Sequence, residues 1–117
     1  MAYVDGFLTP VPKKKLADYK RVSEKMGRIL RELGALEFRE CVADDVKWGK
    51  RTSFPRAVKQ RAGETVLFSY VVFKSRAHRD RVNAKVIKEM EKMDQPPEMP
   101  FDMKRMGYGG FKTLVEG

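Results

Sequence analysis

Residues 64 to 74, ETVLFSYVVFK, constrain the fold more than any other stretch, because an extended chain built from them has no side fit to face water. Val66, Phe68, Tyr70 and Val72 fall on one side at period two, and Leu67, Ser69, Val71 and Phe73 fall on the other. A strand packed on one side alone shows polar residues at alternate positions. This one is therefore expected at the centre of a sheet, with helices over one face and a different cover over the second.

The flanking segments supply the rest of the sheet. Residues 3 to 9, YVDGFLT, alternate loosely and predict a first strand closed by Pro10 and Pro12, with Gly6 marking a bulge or a close approach. From Lys13 the spacing changes: Leu16, Tyr19, Ser23, Met26, Leu30 and Leu33 share one helical face, and Gly34 provides the C-terminal cap. Residues 35 to 43, ALEFRECVA, predict an edge strand, ended by Asp44 and Asp45. A short strand near 56 to 60 is expected to pair back onto the central strand through a turn at Ala62-Gly63. Ser75 is a good N-cap for a second helix, whose stripe is Val82, Val86, Met90 and Met93 and whose stop is Pro96-Pro97. A last strand is expected from about Met106, where Gly107, Gly109 and Gly110 suggest a bulge or a crowded neighbour.

Strand, helix, strand, strand, helix, strand is the order of an α+β ferredoxin-like antiparallel sheet with both helices on one face. The opposite face is then bare and apolar, more than a monomer normally leaves open. Burial of that face against a second copy predicts a homodimer, with a dimeric α/β barrel closed between the two sheets. At 117 residues the chain is expected to form a single domain across its whole length. A charged fraction of 35% is offset by 42% hydrophobic residues, enough to exclude a disordered chain. One cysteine, Cys41, allows no internal disulfide and suits a cytoplasmic setting. No uninterrupted signal-peptide core and no membrane-spanning run is present, so no membrane partner is expected.

Two constellations are candidate sites. Ser69, Tyr70, Lys104, Arg105 and Tyr108, with the nearby glycines, combine hydroxyls, a cationic pair and aromatic walls, which suits a small-molecule ligand in a cavity between sheet and helices. Interface packing is the alternative reading of the same cluster. The second constellation lies between Val46 and Gly63, where six basic residues and no acidic ones accompany Trp48 and Phe54. There Lys47, Lys50, Arg51 and Arg56 could hold phosphates and Trp48 could stack on a base, as in an RNA- or DNA-binding module; a solvated basic loop is the alternative. The net charge of +9 permits such a partner without requiring it. Asp5, Glu40, Asp44 and Asp45 are read as solvated or ion-paired carboxylates rather than as a catalytic pair. His78 is read as a packing residue at the start of a helix and Cys41 as a small hydrophobe; with so few soft ligands no metal site is expected, and no cofactor motif occurs. A structural dimer without catalysis is the third functional reading.

Five segments, YVDGF at 3 to 7, ECVADDV at 40 to 46, TSFPRAVK at 52 to 59, SRAHRDRVNAKV at 75 to 86 and MPFDMKRMGYGGF at 99 to 111, resemble the YbaA-like bacterial family of uncharacterised proteins, and the likeness runs the length of the chain. It implies membership of the dimeric α/β-barrel superfamily, whose relatives include cofactor-independent monooxygenases and isomerases, and it carries over no established activity. The chain departs from the family pattern at Met103, where glycine is usual, at Gly107, where a bulky aliphatic residue is usual, and at Lys47-Trp48, which replace a Pro-Asp pair. Any pocket built from those two loops is expected to have an altered shape.

Overall fold

The structure, a computed structural model, describes residues 1–95 and 98–117. Four strands, β1 (Tyr3–Pro12), β2 (Glu37–Val42), β3 (Glu64–Phe73) and β4 (Gly107–Lys112), form one antiparallel sheet in the order β2-β3-β1-β4. Helices α1 (Leu16–Glu32) and α3 (Arg76–Glu91) make the two long connections, and a single short helix, α2 (Phe54–Ala57), lies between β2 and β3. This is the α+β, βαββαβ arrangement, with β3 in the interior of the sheet as its two apolar sides require.

The pleat of β3 assigns each residue to a layer. Leu67, Ser69, Val71 and Phe73 are all buried beneath the helices. Phe73 and Val71 join Ala35, Val82 and Val86 in the main core, while Leu67 packs with Val11 and Tyr19 in a second cluster. Helix α1 ends as its sequence dictates: the N–H of Ala35 donates to Leu30 (2.9 Å) and that of Gly34 to Arg31 (3.2 Å), a Schellman pair made possible by the positive φ of Gly34, +124°. Gly27 serves α1 differently. A methyl there would come within 2.6 Å of the Phe38 ring, so the missing side chain is what lets the helix approach β2. At Ser75 the side-chain oxygen accepts from the His78 N–H (3.1 Å), the expected cap of α3. The helix closes at Glu91; the stop expected at Pro96-Pro97 lies outside the described residues.

Three expectations are corrected. Strand β1 does not stop at Pro10 but runs through Pro12, pairing Pro10 with Val66 and Pro12 with Glu64. The reason is hydrogen-bond parity. The N–H of Lys13 donates to Gly63, just before β3, and that of Thr113, just after β4, to Ala2, so odd-numbered residues of β1 bond β3 and even-numbered ones bond β4. Strand β4 ends opposite Leu8, and the prolines at 10 and 12 fall where that side of β1 has no neighbour. Second, the strand expected near 56 to 60 is the helix α2: Ser53 caps it by accepting from the Arg56 N–H (3.2 Å), and Pro55 stands in its first turn. The turn at Gly63, with φ +80°, is present as expected. Third, the second face of the sheet is not bare throughout. The 43–63 segment folds over one end of it: α2 lies against β1 and β3, Pro10, Pro55, Val58 and Val66 are buried, and Phe54 meets Phe68 edge-on at 6.4 Å. Beyond that cover Phe68 is still 49% exposed and Phe111 63% exposed, so the other half of the face is open. No bulge forms in β4, since the β1–β4 register is unbroken; Gly110 answers to a crowded neighbour, the Tyr3 ring occupying the space above it, whereas Gly107 has open space around it.

Arg105 fastens the chain after α3 to this framework. Its guanidinium donates to both carboxylate oxygens of Glu64 (2.8 and 2.6 Å), to Asp102 (3.0 Å) and to the carbonyl of Lys59 (3.0 Å), with Glu64 and Arg105 side chains each only 10% exposed. The paired guanidinium holds the Glu64 carboxyl below the usual glutamate range. Glu64 therefore adds stability above its ordinary value that is lost as pH falls through the lowered one. Arg105→Ala is expected to cost about 3–5 kcal/mol by stranding a buried carboxylate. Urea unfolding at several pH values will show the variant losing less stability than the wild type on acidification, because protonation then relieves Glu64 instead of breaking its pair.

Candidate functional site

Between the helices and the sheet lies a cavity of about 240 Å³. Five methionines line it: Met26 from α1, Met90 from α3, and Met99, Met103 and Met106 from the segment leading into β4. Phe7, Phe38 and Phe101 add aromatic walls, and Tyr19 meets Phe101 edge-on at 5.7 Å. Thioethers and aromatic rings make a pliable apolar wall suited to a small organic molecule.

One end of the cavity is polar, and the strand register explains why. Glu40 of β2 stands opposite Ser69 of β3, which stands opposite Phe7 of β1, so these three side chains form one row beneath the helices. Thr9 follows in the next row on the same face, opposite Leu67. Above them α1 contributes Tyr19 and Ser23, four residues apart and both buried. Ser69 Oγ and Glu40 Oε2 are buried and, among the described residues, make no hydrogen bond of good geometry, although the Tyr19 hydroxyl lies beside both and beside Thr9. Such oxygens are costly to leave unpaired, and in a concave site they point to a bound group. The Tyr19 hydroxyl is pushed far above the ordinary tyrosine range, first by burial and then by the neighbouring Glu40 carboxylate. The pair can thus present an acceptor, Glu40, beside a hydroxyl that stays protonated and can donate. A second hollow of about 340 Å³ shares Tyr19, Ser23, Phe38 and Glu40 with the cavity and is completed by Leu16, Lys20, Glu24 and Val42, so the polar end also faces the seam between α1 and the edge strand β2.

Of the residues expected to form a ligand site none lines the cavity, and only Ser69 comes near its polar end, buried beside the Tyr19 hydroxyl. Tyr70 points to the opposite face and donates to Glu37 (2.9 Å). Arg105 is committed to Glu64, Lys104 is exposed, and Tyr108 is exposed at the sheet edge, stacked 6.3 Å from Phe7. Their neighbours Met103 and Met106, rather than Lys104 and Arg105, line the cavity. Among the acids, Asp5 is paired as expected: Arg79, lying over the Tyr3 ring at 5.0 Å, donates to it at 2.8 Å, and burial raises the Asp5 carboxyl despite that cation. Asp44 and Asp45 are exposed. Glu40 corrects the reading of a solvated strand-end carboxylate, because it stands opposite buried Ser69 on the helix-facing side of β2, its Oε2 is itself buried, and α1 lies above. Polar residues at positions that the period assigns to the core, Tyr19 and Ser23 in the stripe of α1, Ser69 on β3 and Glu40 between Phe38 and Val42, are the signal in the sequence that marks this site.

Within the basic segment, Arg56 donates to the carbonyls of Trp48 (3.0 Å) and Gly49 (2.9 Å) and lies 5.7 Å from the centre of the Trp48 ring. Lys47, Lys50 and Arg51 are exposed around that pair. His78 accepts the Lys74 N–H at Nδ1 (3.0 Å) and packs edge-on against Phe73, the structural role expected of it, and burial lowers its pKa. Cys41 is exposed on β2. Among the described residues no group of three or more His, Cys, Asp or Glu side chains could hold a metal ion, and no helix is long and apolar enough to cross a membrane.

Comparison with known proteins gives three findings. A family model described as "Protein of unknown function (DUF1428)" matches residues 2–103. The protein YbaA of Escherichia coli K12, described as uncharacterised, is 40% identical over 116 residues, covering 99% of each chain, and YbaA of Shigella flexneri matches to the same extent. A solved structure, the de novo designed protein Foldit4, overlaps 97% of this chain and 99% of its own with a TM-score of 0.47 and 11% identity.

The four tyrosines provide a check on the buried hydroxyl. Because folding raises the Tyr19 pKa, the native state holds its proton where the unfolded state releases it, so stability contributed below the ordinary tyrosine value is lost as pH rises above it. Spectrophotometric titration of the native protein is expected to fall short of the four-tyrosine amplitude until alkaline unfolding releases the remainder. Tyr19→Phe should leave the native part of the curve unchanged and flatten the alkaline fall in stability.

Proposed function

We propose that this chain, which belongs to the DUF1428 family, binds a small molecule, or modifies one without a cofactor, in the cavity between its sheet and its helices. One observation carries the reading: an apolar chamber of about 240 Å³ ends at the Glu40 carboxylate, whose buried Oε2 makes no hydrogen bond among the described residues. A folded chain of this size rarely retains such a pairing deficit without a use for it. The lone Cys41 suits a reducing compartment such as the cytoplasm. Native mass spectrometry of the protein purified from its own cells is expected to retain a small adduct that denaturation releases; a polypeptide mass identical under both conditions, with no compound bound on addition of small aromatic fragments, removes the reading.

In the same proposal the open half of the second sheet face is closed by another copy, making a homodimeric α/β barrel. Support comes from the ring of Phe111, which lies across Gly6 and Gly109, from exposed Phe68, and from Leu114 and Val115 of the tail, 87% and 82% exposed. A twofold, self-complementary contact is the economical cover for such a face. Light scattering after gel filtration should give twice the chain mass for the wild type and the single-chain mass for Phe68→Asp; a wild type that stays single at micromolar concentration rules out the dimer. The rival reading, nucleic acid held by residues 46–63, has less support, since Trp48 and Arg56 are engaged with each other and leave Lys47, Lys50 and Arg51 to make the contact.

A further inference from the structure

We infer that the ligand is a small, largely apolar molecule carrying one hydroxyl or amino head and no negative charge, seated with that head against Glu40. The inference rests on the binding reading above and adds the polarity of what is bound. At about 30 Å³ for the share of one water, 240 Å³ is roughly eight waters, room for a skeleton of about ten non-hydrogen atoms. The walls ask for a hydrocarbon or aromatic body, because Met26, Met90, Met99, Met103 and Met106 can repack around many shapes but offer only weak acceptors.

The polar end sets the head group. Among the described residues Glu40 is the single charged residue of the lining; the nearest cation in the adjoining hollow, Lys20, is exposed and faces Glu24 at 3.9 Å. A ligand carboxylate or phosphate would therefore face a carboxylate with no cation in the cavity wall to compensate it, and like charges at one site disfavour each other. A donor satisfies what is missing. A hydroxyl head can donate to the orphaned Glu40 Oε2 and accept from the Tyr19 hydroxyl beside it. An ammonium head can give Glu40 a charge-assisted bond. The Tyr19 hydroxyl, which holds its proton, stands beside the same carboxylate.

Methionine methyl signals report directly on the cavity. The chain has seven methionines, of which five line it, while Met1 and Met93 lie outside and serve as references. Protein carrying isotope-labelled methionine methyl groups would be titrated with four compounds on one skeleton: phenylpropanol, phenylpropylamine, phenylpropionate and propylbenzene. The alcohol, the amine or both are expected to shift the five cavity signals with a Kd about tenfold or more below those of the acid and the hydrocarbon. Glu40→Gln should weaken the amine about tenfold and the alcohol less; the wild-type comparison stands even where that variant fails to fold. Equal binding of all four compounds, or tighter binding of the acid, overturns the head-group assignment while leaving the cavity a binding site. An amine affinity unchanged by Glu40→Gln overturns it as well. If none of the four moves any cavity signal, the binding reading falls and this inference with it.

Discussion

Strand β3 has no side it can turn to water, and the remainder of the fold is arranged around that constraint. Placing it in the interior of the sheet gives its backbone two partners, β1 and β2. The helices then shelter Leu67, Ser69, Val71 and Phe73, and the 43–63 segment shelters Val66 on the reverse side. Because successive side chains alternate, a slip of one residue would exchange the two sets, sending Phe68 and Tyr70 into the helical core and Phe73 out of it. The register with Glu40 and Phe7 is thus held by burial along the whole strand, and with it the row of side chains that ends the cavity.

That row explains how a polar cluster persists in an otherwise apolar layer. Three elements each contribute a polar group at a position where their own periodicity calls for an apolar one. Each such choice weakens its element locally, and together they converge on one end of one chamber. Conflict between local pattern and burial, repeated at a single place, is where natural chains keep their chemistry.

Much of this was legible in the sequence where the cause is local. The stripe of α1, the Gly34 and Ser75 caps, the two-sided apolarity of β3 and the order of elements all follow from residues within a few positions of one another. The capping signature of α2, Ser53 followed by Pro55, is equally local, and the strand expected near 56 to 60 takes no account of it. What was not legible depends on distant partners. Nothing near Pro10 announces that β4 stops opposite Leu8, and nothing near Arg105 announces that its partner is Glu64, 41 residues earlier. The same holds for the site. Ser69 was singled out in company with Tyr70, its chain neighbour, yet the pleat sends the two to opposite faces, and the residues that do join Ser69 come from α1 and β2.

The Arg105 guanidinium touches more than Glu64. By donating to the Lys59 carbonyl it grips the end of the segment that roofs one side of the sheet, while its chain neighbours Met103 and Met106 wall the chamber on the other. One planar cation therefore touches the coverings on both sides of the sheet. A displacement of the roof that reached the chamber would pass through this clasp, and any such coupling would act equally in both directions.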